Sequence, residues 1–153
     1  MKHIFISALC AFLITTPLSS FAQNAATPVP LIQPATDVEL DDFKWTDRVI
    51  VVFADTPLDL NFRRQMELLI DRPEQLTERD VIVLTDTNPD TLSAVRKQLR
   101  PRGFTFVVVD KDGTVMFRKP DPWDLREITR AIDKTPLRQQ EIKADKEAAR
   151  TTR

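Results

Sequence analysis

Sulfur and imidazole are almost absent from this chain. Its single cysteine is Cys10 and its single histidine is His3. Both lie in an N-terminal stretch with the form of a cleaved export signal, so the mature chain is expected to hold neither. A thiolate is the nucleophile of disulfide exchange and of peroxide reduction, and both chemistries are therefore excluded. A serine triad needs an imidazole base. Ser93 is the only serine beyond the signal; it has no such base and reads as helix surface. Zinc sites draw on Cys and His, and no metal or cofactor is expected. Glycine is scarce as well. Gly103 and Gly113 are the only two, which rules out a glycine-rich phosphate cradle.

An excess of charge is also missing. The 22 basic residues nearly balance the 23 acidic ones. Nucleic-acid binders carry a clearly basic face, so no nucleic-acid partner is expected. Long hydrophobic runs are confined to the N-terminus. Lys2 and His3 precede an apolar run over residues 4–14, and Ser20-Phe21-Ala22 offers small residues for cleavage after Ala22. The run is shorter than the roughly 20 residues of a spanning helix. Bulky Leu9 next to Cys10 disfavours lipidation. Residues 1–22 are thus predicted to be a signal peptide, giving a periplasmic or secreted product with no membrane span after cleavage. That compartment permits disulfides, yet the mature chain has no cysteine to form them, so packing alone must hold its core.

Residues 23–42 read as a flexible leader, rich in Ala, Pro, Thr and Asn over 23–35; the acidic stretch 37–43, with Val38, Leu40 and Phe43 interspersed, is expected to pack loosely on the domain edge. The acids Asp37, Glu39, Asp41 and Asp42 read as solvated linker rather than a cation site. Residues 49–54 form a continuous β-branched apolar run, the pattern of a strand covered on both faces. Asp55-Thr56-Pro57 breaks it. Leu58, Phe62, Met66, Leu69 and Ile70 then recur at helical spacing, predicting a helix over 59–71 with Arg63, Arg64, Gln65 and Glu67 outward. Arg72-Pro73 ends it. A second buried strand follows over 81–85. Asn88-Pro89 is the form of a helix start, and Leu92, Val95 and Leu99 supply that helix's apolar face. Residues 104–109 and 114–118 make two strands joined at Asp110-Lys111-Asp112-Gly113, which reads as a tight turn rather than a calcium loop. Asp121-Pro122 opens a last core helix with Leu125, Ile128, Ala131 and Ile132 inward. Residues 137–153 form a charged tail, at best a marginal helix.

The order is β-α-β-α-β-β-α. It predicts an α/β domain over residues 43–136, with a central mixed four-stranded sheet and the connectivity of the thioredoxin fold core.

Several residues resemble a known family. They are Arg48, Gln65, Arg79-Asp80, Lys111-Asp112-Gly113, and Ile132-Asp133-Lys134-Thr135-Pro136-Leu137-Arg138 with Glu141. Together they resemble a thioredoxin-like domain family of unknown function, found in exported bacterial proteins and in animal extracellular matrix proteins of the sushi-repeat-containing type. Family members often carry Met-Pro-Met where this chain has Thr135-Pro136-Leu137. The resemblance covers residues 43–141 and implies fold and export, with no catalytic residues to carry over. It also implies that Arg79, Arg138 and Glu141 form a structural ion-pair cluster docking the tail.

Asp55-Thr56-Pro57-Leu58 stands where a thioredoxin carries Cys-x-x-Cys. The facing position, which holds a cis-proline in thioredoxins, is Gly103-Phe104. In open α/β sheets ligands bind beyond the carboxyl ends of the strands. The candidate binding groove is therefore Asp55, Thr56, Pro57 and Asp59 facing Arg102, Gly103 and Phe104. Two readings stay open: these residues meet a ligand, or the acids only cap the next helix and Arg102 is only solvated. The sequence favours a non-redox binding module of the cell envelope for an unidentified protein, peptide or small ligand. The alternative is an enzyme of unassigned chemistry using carboxylates and arginines.

Overall fold

A computed structural model of the chain describes residues 31–151. The expected signal, its cleavage site and the start of the leader lie outside the described residues. The two strongest apolar runs become β2 (Arg48–Phe53) and β4 (Thr105–Val109), buried along their whole length. With β1 (Ile32–Pro34), β3 (Val81–Asp86) and β5 (Val115–Lys119) they form one sheet in the order β1-β3-β2-β4-β5. Central β2 runs parallel to β3 and antiparallel to β4, with Val49 opposite Val109 and Phe53 opposite Thr105. The β4–β5 hairpin turns at Asp110 to Gly113, closed by Gly113 N–H donating to the Asp110 carbonyl at 2.9 Å.

Side chains alternate across a strand, and here both faces are covered. Val49, Val51 and Phe53 pack with Val95 and Leu99 of α3 (Ala94–Leu99). Ile50 and Val52 pack with Leu69 of α1 (Leu60–Ile70), Leu76 of α2 (Pro73–Thr77), and Leu125, Ile128 and Ile132 of α4 (Leu125–Asp133). The tail is a helix, α5 (Pro136–Thr151), with no buried residue of its own. Edge strand β5 carries exposed Arg118 and Lys119, charges that discourage edge-to-edge pairing. Among the described residues no helix is long and apolar enough to cross a membrane.

Four local expectations are corrected. The sheet has five strands rather than four. The extra one, β1, lies inside the supposed leader and pairs in parallel with β3. Buried β3 needs partners for the backbone groups on its outer side, a demand that leaves no periodicity in three residues ending in proline. Leu40 and Phe43, on a short 3-10 turn, are buried in the core rather than packed loosely at its edge. α1 does end before Arg72-Pro73, and Pro73 goes on to start α2, a position where its missing N–H costs nothing. Asn88-Pro89 opens only a 3-10 turn; Leu92 is left-handed and exposed, and α3 starts after Ser93. Leu58, just before α1, and Ile70, at its end, are exposed, whereas Gln65 within it is fully buried.

Gln65 is buried because it replaces a missing backbone partner. Its Nε2 donates to the Trp123 carbonyl at 3.1 Å, and its Oε1 accepts from the Trp123 N–H at 2.7 Å. The amide thereby closes α1 onto the segment between β5 and α4. Gln65→Leu preserves volume but leaves both Trp123 groups unsatisfied. It should cost about 1–3 kcal/mol, read as a lower urea midpoint at unchanged slope.

Candidate binding site

β2 ends at Phe53, and the Ala54 N–H donates to the Asp86 carbonyl at 3.0 Å. The chain then leaves the sheet through Asp55, Thr56, Pro57 and Leu58, all exposed. Thr56 shapes this loop: its Oγ1 accepts from Leu58 N–H at 3.3 Å and its carbonyl from Asp59 N–H at 3.2 Å. Asp59 is the cap of α1, its Oδ1 accepting from Phe62 N–H at 3.0 Å, as the capping alternative expects. Leu58 and Leu60 stand 75% and 77% exposed.

Across the crevice the structure brings Gly103 against Asp55. A Cβ on Gly103 would stand 3.8 Å from Asp55 Oδ2, and its φ of +55° is a conformation that favours glycine. Phe104 is buried while Arg102 is exposed. These two line a neighbouring recess of about 390 Å³ together with Arg100, Arg118 and Lys119. Asp55, Thr56, Pro57 and Asp59 do not line that recess. The predicted groove therefore divides into an exposed loop and a cationic recess, with Gly103 between them.

Under the loop lies a polar cluster that sequence reasoning missed. Buried Arg96 Nη2 donates to the carbonyls of Ala54 and Asp86, each at 3.0 Å, and to Asp86 Oδ1 at 2.9 Å. Its guanidinium sits 5.3 Å from the centre of the Phe53 ring. Ser93 Oγ donates to Asp86 Oδ2 at 2.7 Å and accepts from Arg96 N–H at 3.0 Å. Ser93 is thus a buried cap rather than helix surface. Burial pushes the Asp86 carboxyl up, but the bonds from Arg96 and Ser93 outweigh this and hold it below its ordinary value. A carboxylate so stabilised is a poor base, and the cluster serves to tie the ends of β2 and β3 to α3. The legible signal was Ser93 followed three residues later by a helical N–H in need of a cap.

At the opposite end of β2 the expected ion pairs exist around a different centre. Arg48 is fully buried. Its Nη1 and Nη2 each donate to Glu141 at 3.1 Å, Nη1 donates to the Arg79 carbonyl at 2.9 Å, and Nε lies 2.9 Å from Asp110 Oδ1. Glu141 also meets Lys111 at 3.1 Å and Arg138 at 3.2 Å. Arg79 is not paired with Glu141; it grips Asp133 through two bonds of 2.9 and 2.8 Å. Arg138 adds a bond of 2.9 Å to the Glu78 carbonyl. Burial pushes the Glu141 carboxyl up, yet hydrogen bonds from Arg48, Lys111 and Arg138 prevail and hold it at about 2.

Residues 39–141 match the family described as Domain of unknown function (DUF4174). No curated protein matches the chain significantly. Among solved structures, the chain is similar to a reduced 2-Cys peroxiredoxin from Plasmodium vivax, with 17% identity and a TM-score of 0.54, covering 68% of this chain and 85% of that one. It is similarly close to thioredoxin peroxidase I from Plasmodium yoelii, with 18% identity and a TM-score of 0.53, covering 68% and 80%. At such identities the likeness establishes the thioredoxin-like fold alone.

The pinning of α5 is open to test by acid. The folded value of Glu141 is depressed, so its contribution is present above about 4.5 and is lost as pH falls toward 2. The melting temperature of the wild type should drop more between pH 4.5 and pH 2 than that of Glu141→Gln. Parallel curves would remove Glu141 as the pin. Arg138→Ala should accelerate proteolytic cleavage within α5 at neutral pH; unchanged kinetics would count against its docking role.

Proposed function

The chain belongs to the DUF4174 family of domains of unknown function, and on that premise we propose that it is an exported, non-redox binding module of the cell envelope built on the thioredoxin-like scaffold. Its partner, a protein, peptide or small ligand, meets the crevice beyond the carboxyl end of β2. One observation carries this reading. The loop where a thioredoxin keeps its sulfurs is exposed, has no sulfur, and presents Leu58 and Leu60 almost fully to solvent. Exposed apolar side chains at the carboxyl end of a central strand suit contact with a partner. The enzyme alternative gains no support from the most strongly paired carboxylates, because Asp86 and Glu141 are held ionised by arginines.

Three measurements test the reading. N-terminal sequencing of the protein from the periplasm or medium should begin at Gln23. Insulin-reduction and peroxide assays on the mature chain should be blank, and any turnover would overturn the non-redox assignment. Crosslinking in the cell envelope should capture a partner with wild type and lose it with Leu58→Asp/Leu60→Asp. Equal recovery by the variant, with its fold intact by circular dichroism, would defeat the crevice as the site.

A further inference from the structure

The recess beside the crevice is cationic in a chain whose net charge is only −1. Arg100, Arg102, Arg118 and Lys119 line it together with Phe104, Thr105 and Pro120, and among the described residues no carboxylate lines it. The four cations are not equivalent. Arg118 is anchored, its Nη2 donating to the Leu99 carbonyl at 2.7 Å, and Lys119 is steadied by the Trp123 ring, 5.0 Å from its Nζ. The guanidinium groups of Arg100 and Arg102 take part in no ion pair or hydrogen bond among the described residues; Arg102 contributes only its carbonyl, which accepts from Thr105 Oγ1 at 3.2 Å. This contrasts with Arg48, Arg79, Arg96 and Arg138, whose guanidinium groups are all engaged.

The backbone at Arg100 adds a second observation. It caps α3 in the left-handed region at φ +48°, a position that helices usually give to glycine. A side chain there costs about 1–2 kcal/mol, so this helix end keeps a long cation where a residue without one would be easier to accommodate.

We propose that this recess binds a small oxyanion-bearing ligand, a phosphate ester or polycarboxylate with an apolar portion. Free guanidinium forks match phosphate and carboxylate oxygens bidentately. The recess volume of about 390 Å³ lies within the range of small-molecule sites, about 300–1,000 Å³. Phe104 and Pro120 offer the apolar portion a surface. The assignment rests on the binding-module reading and specifies the ligand class of its arginine side.

The test uses the mature full chain with phenyl phosphate and phthalate as soluble probes, read by calorimetry and by tryptophan fluorescence, to which Trp123 beside Lys119 contributes. At low salt at least one probe should bind saturably at one site. Phenyl phosphate alone identifies an ester, and phthalate alone a polycarboxylate. Arg100→Gln/Arg102→Gln should weaken binding about tenfold or more without changing the melting temperature, while Arg63→Gln/Lys97→Gln should bind as wild type. Three results would overturn the assignment: no binding of either probe, equal binding by the Arg100/Arg102 variant, or equal loss in the control. Binding only to phosphatidylglycerol vesicles, with neither soluble probe, would also overturn it by making a membrane surface the source of the anion. If the probes fail while the Leu58/Leu60 variant still loses its envelope partner, the ligand class falls and the binding module stands. If the probes bind while the Leu58/Leu60 variant keeps its envelope partner, the crevice falls as the docking site and the ligand class stands.

Discussion

A fully buried arginine at the first residue of the central strand constrains the rest of the molecule. Removing the Arg48 charge from water costs several kcal/mol unless its hydrogens are matched by close acceptors. The partners come from separate parts of the chain: Glu141 from α5, Asp110 from the β4–β5 turn, and a carbonyl from the segment before β3. Satisfying one side chain therefore fixes where a helix, a hairpin and a strand meet. The same network helps to dock α5, which fully buries no residue: Glu141 and Arg138 are its ion-paired anchors, beside half-buried Leu137 and Ile142.

The other end of β2 follows a similar logic on a smaller scale. Arg96 collects two carbonyls and the Asp86 carboxylate, and thereby closes the ends of β2 and β3 against α3. With both ends of the central strand fixed, the Asp55 to Leu58 loop is mounted on a firm base even though it is itself exposed. The guanidinium groups of Arg100 and Arg102, just past α3, belong to neither network. What sets them apart from other surface arginines unpaired among the described residues, such as Arg63, is the recess they line together.

Much of the fold was legible. The β-branched runs at 49–54, 81–85 and 104–109 marked the buried strands, because only a strand covered on both faces tolerates continuous apolar sequence. The Asp-Gly turn and the α4 periodicity were equally plain. The candidate site was legible only as an address. Asp55 and Gly103 were expected to face each other and do; Asp59 was expected either to meet a ligand or to cap a helix, and it caps; Arg102 and Phe104 belong to a recess that also needs Arg118 and Lys119 from another strand. Gln65 was misread because a helical pattern counts an amide as outward, while Trp123 required it inside.

Sequence by itself determined the scaffold and the chemistry ruled out. The spacing of apolar residues decided the order of strands and helices, and Cys10 and His3 are the only cysteine and histidine, both in the segment expected to be a signal, so thiol and imidazole chemistry are expected to be missing once that segment is removed. Tertiary structure alone decided which charges are spent and which are free. Arg48 and Arg100 are the same residue type in the sequence. One is matched by groups up to 93 positions away, while the guanidinium of the other meets no acceptor among the described residues. That difference arises because electrostatic pairing depends on distance in space, and distance in space is set by the packing of the whole sheet.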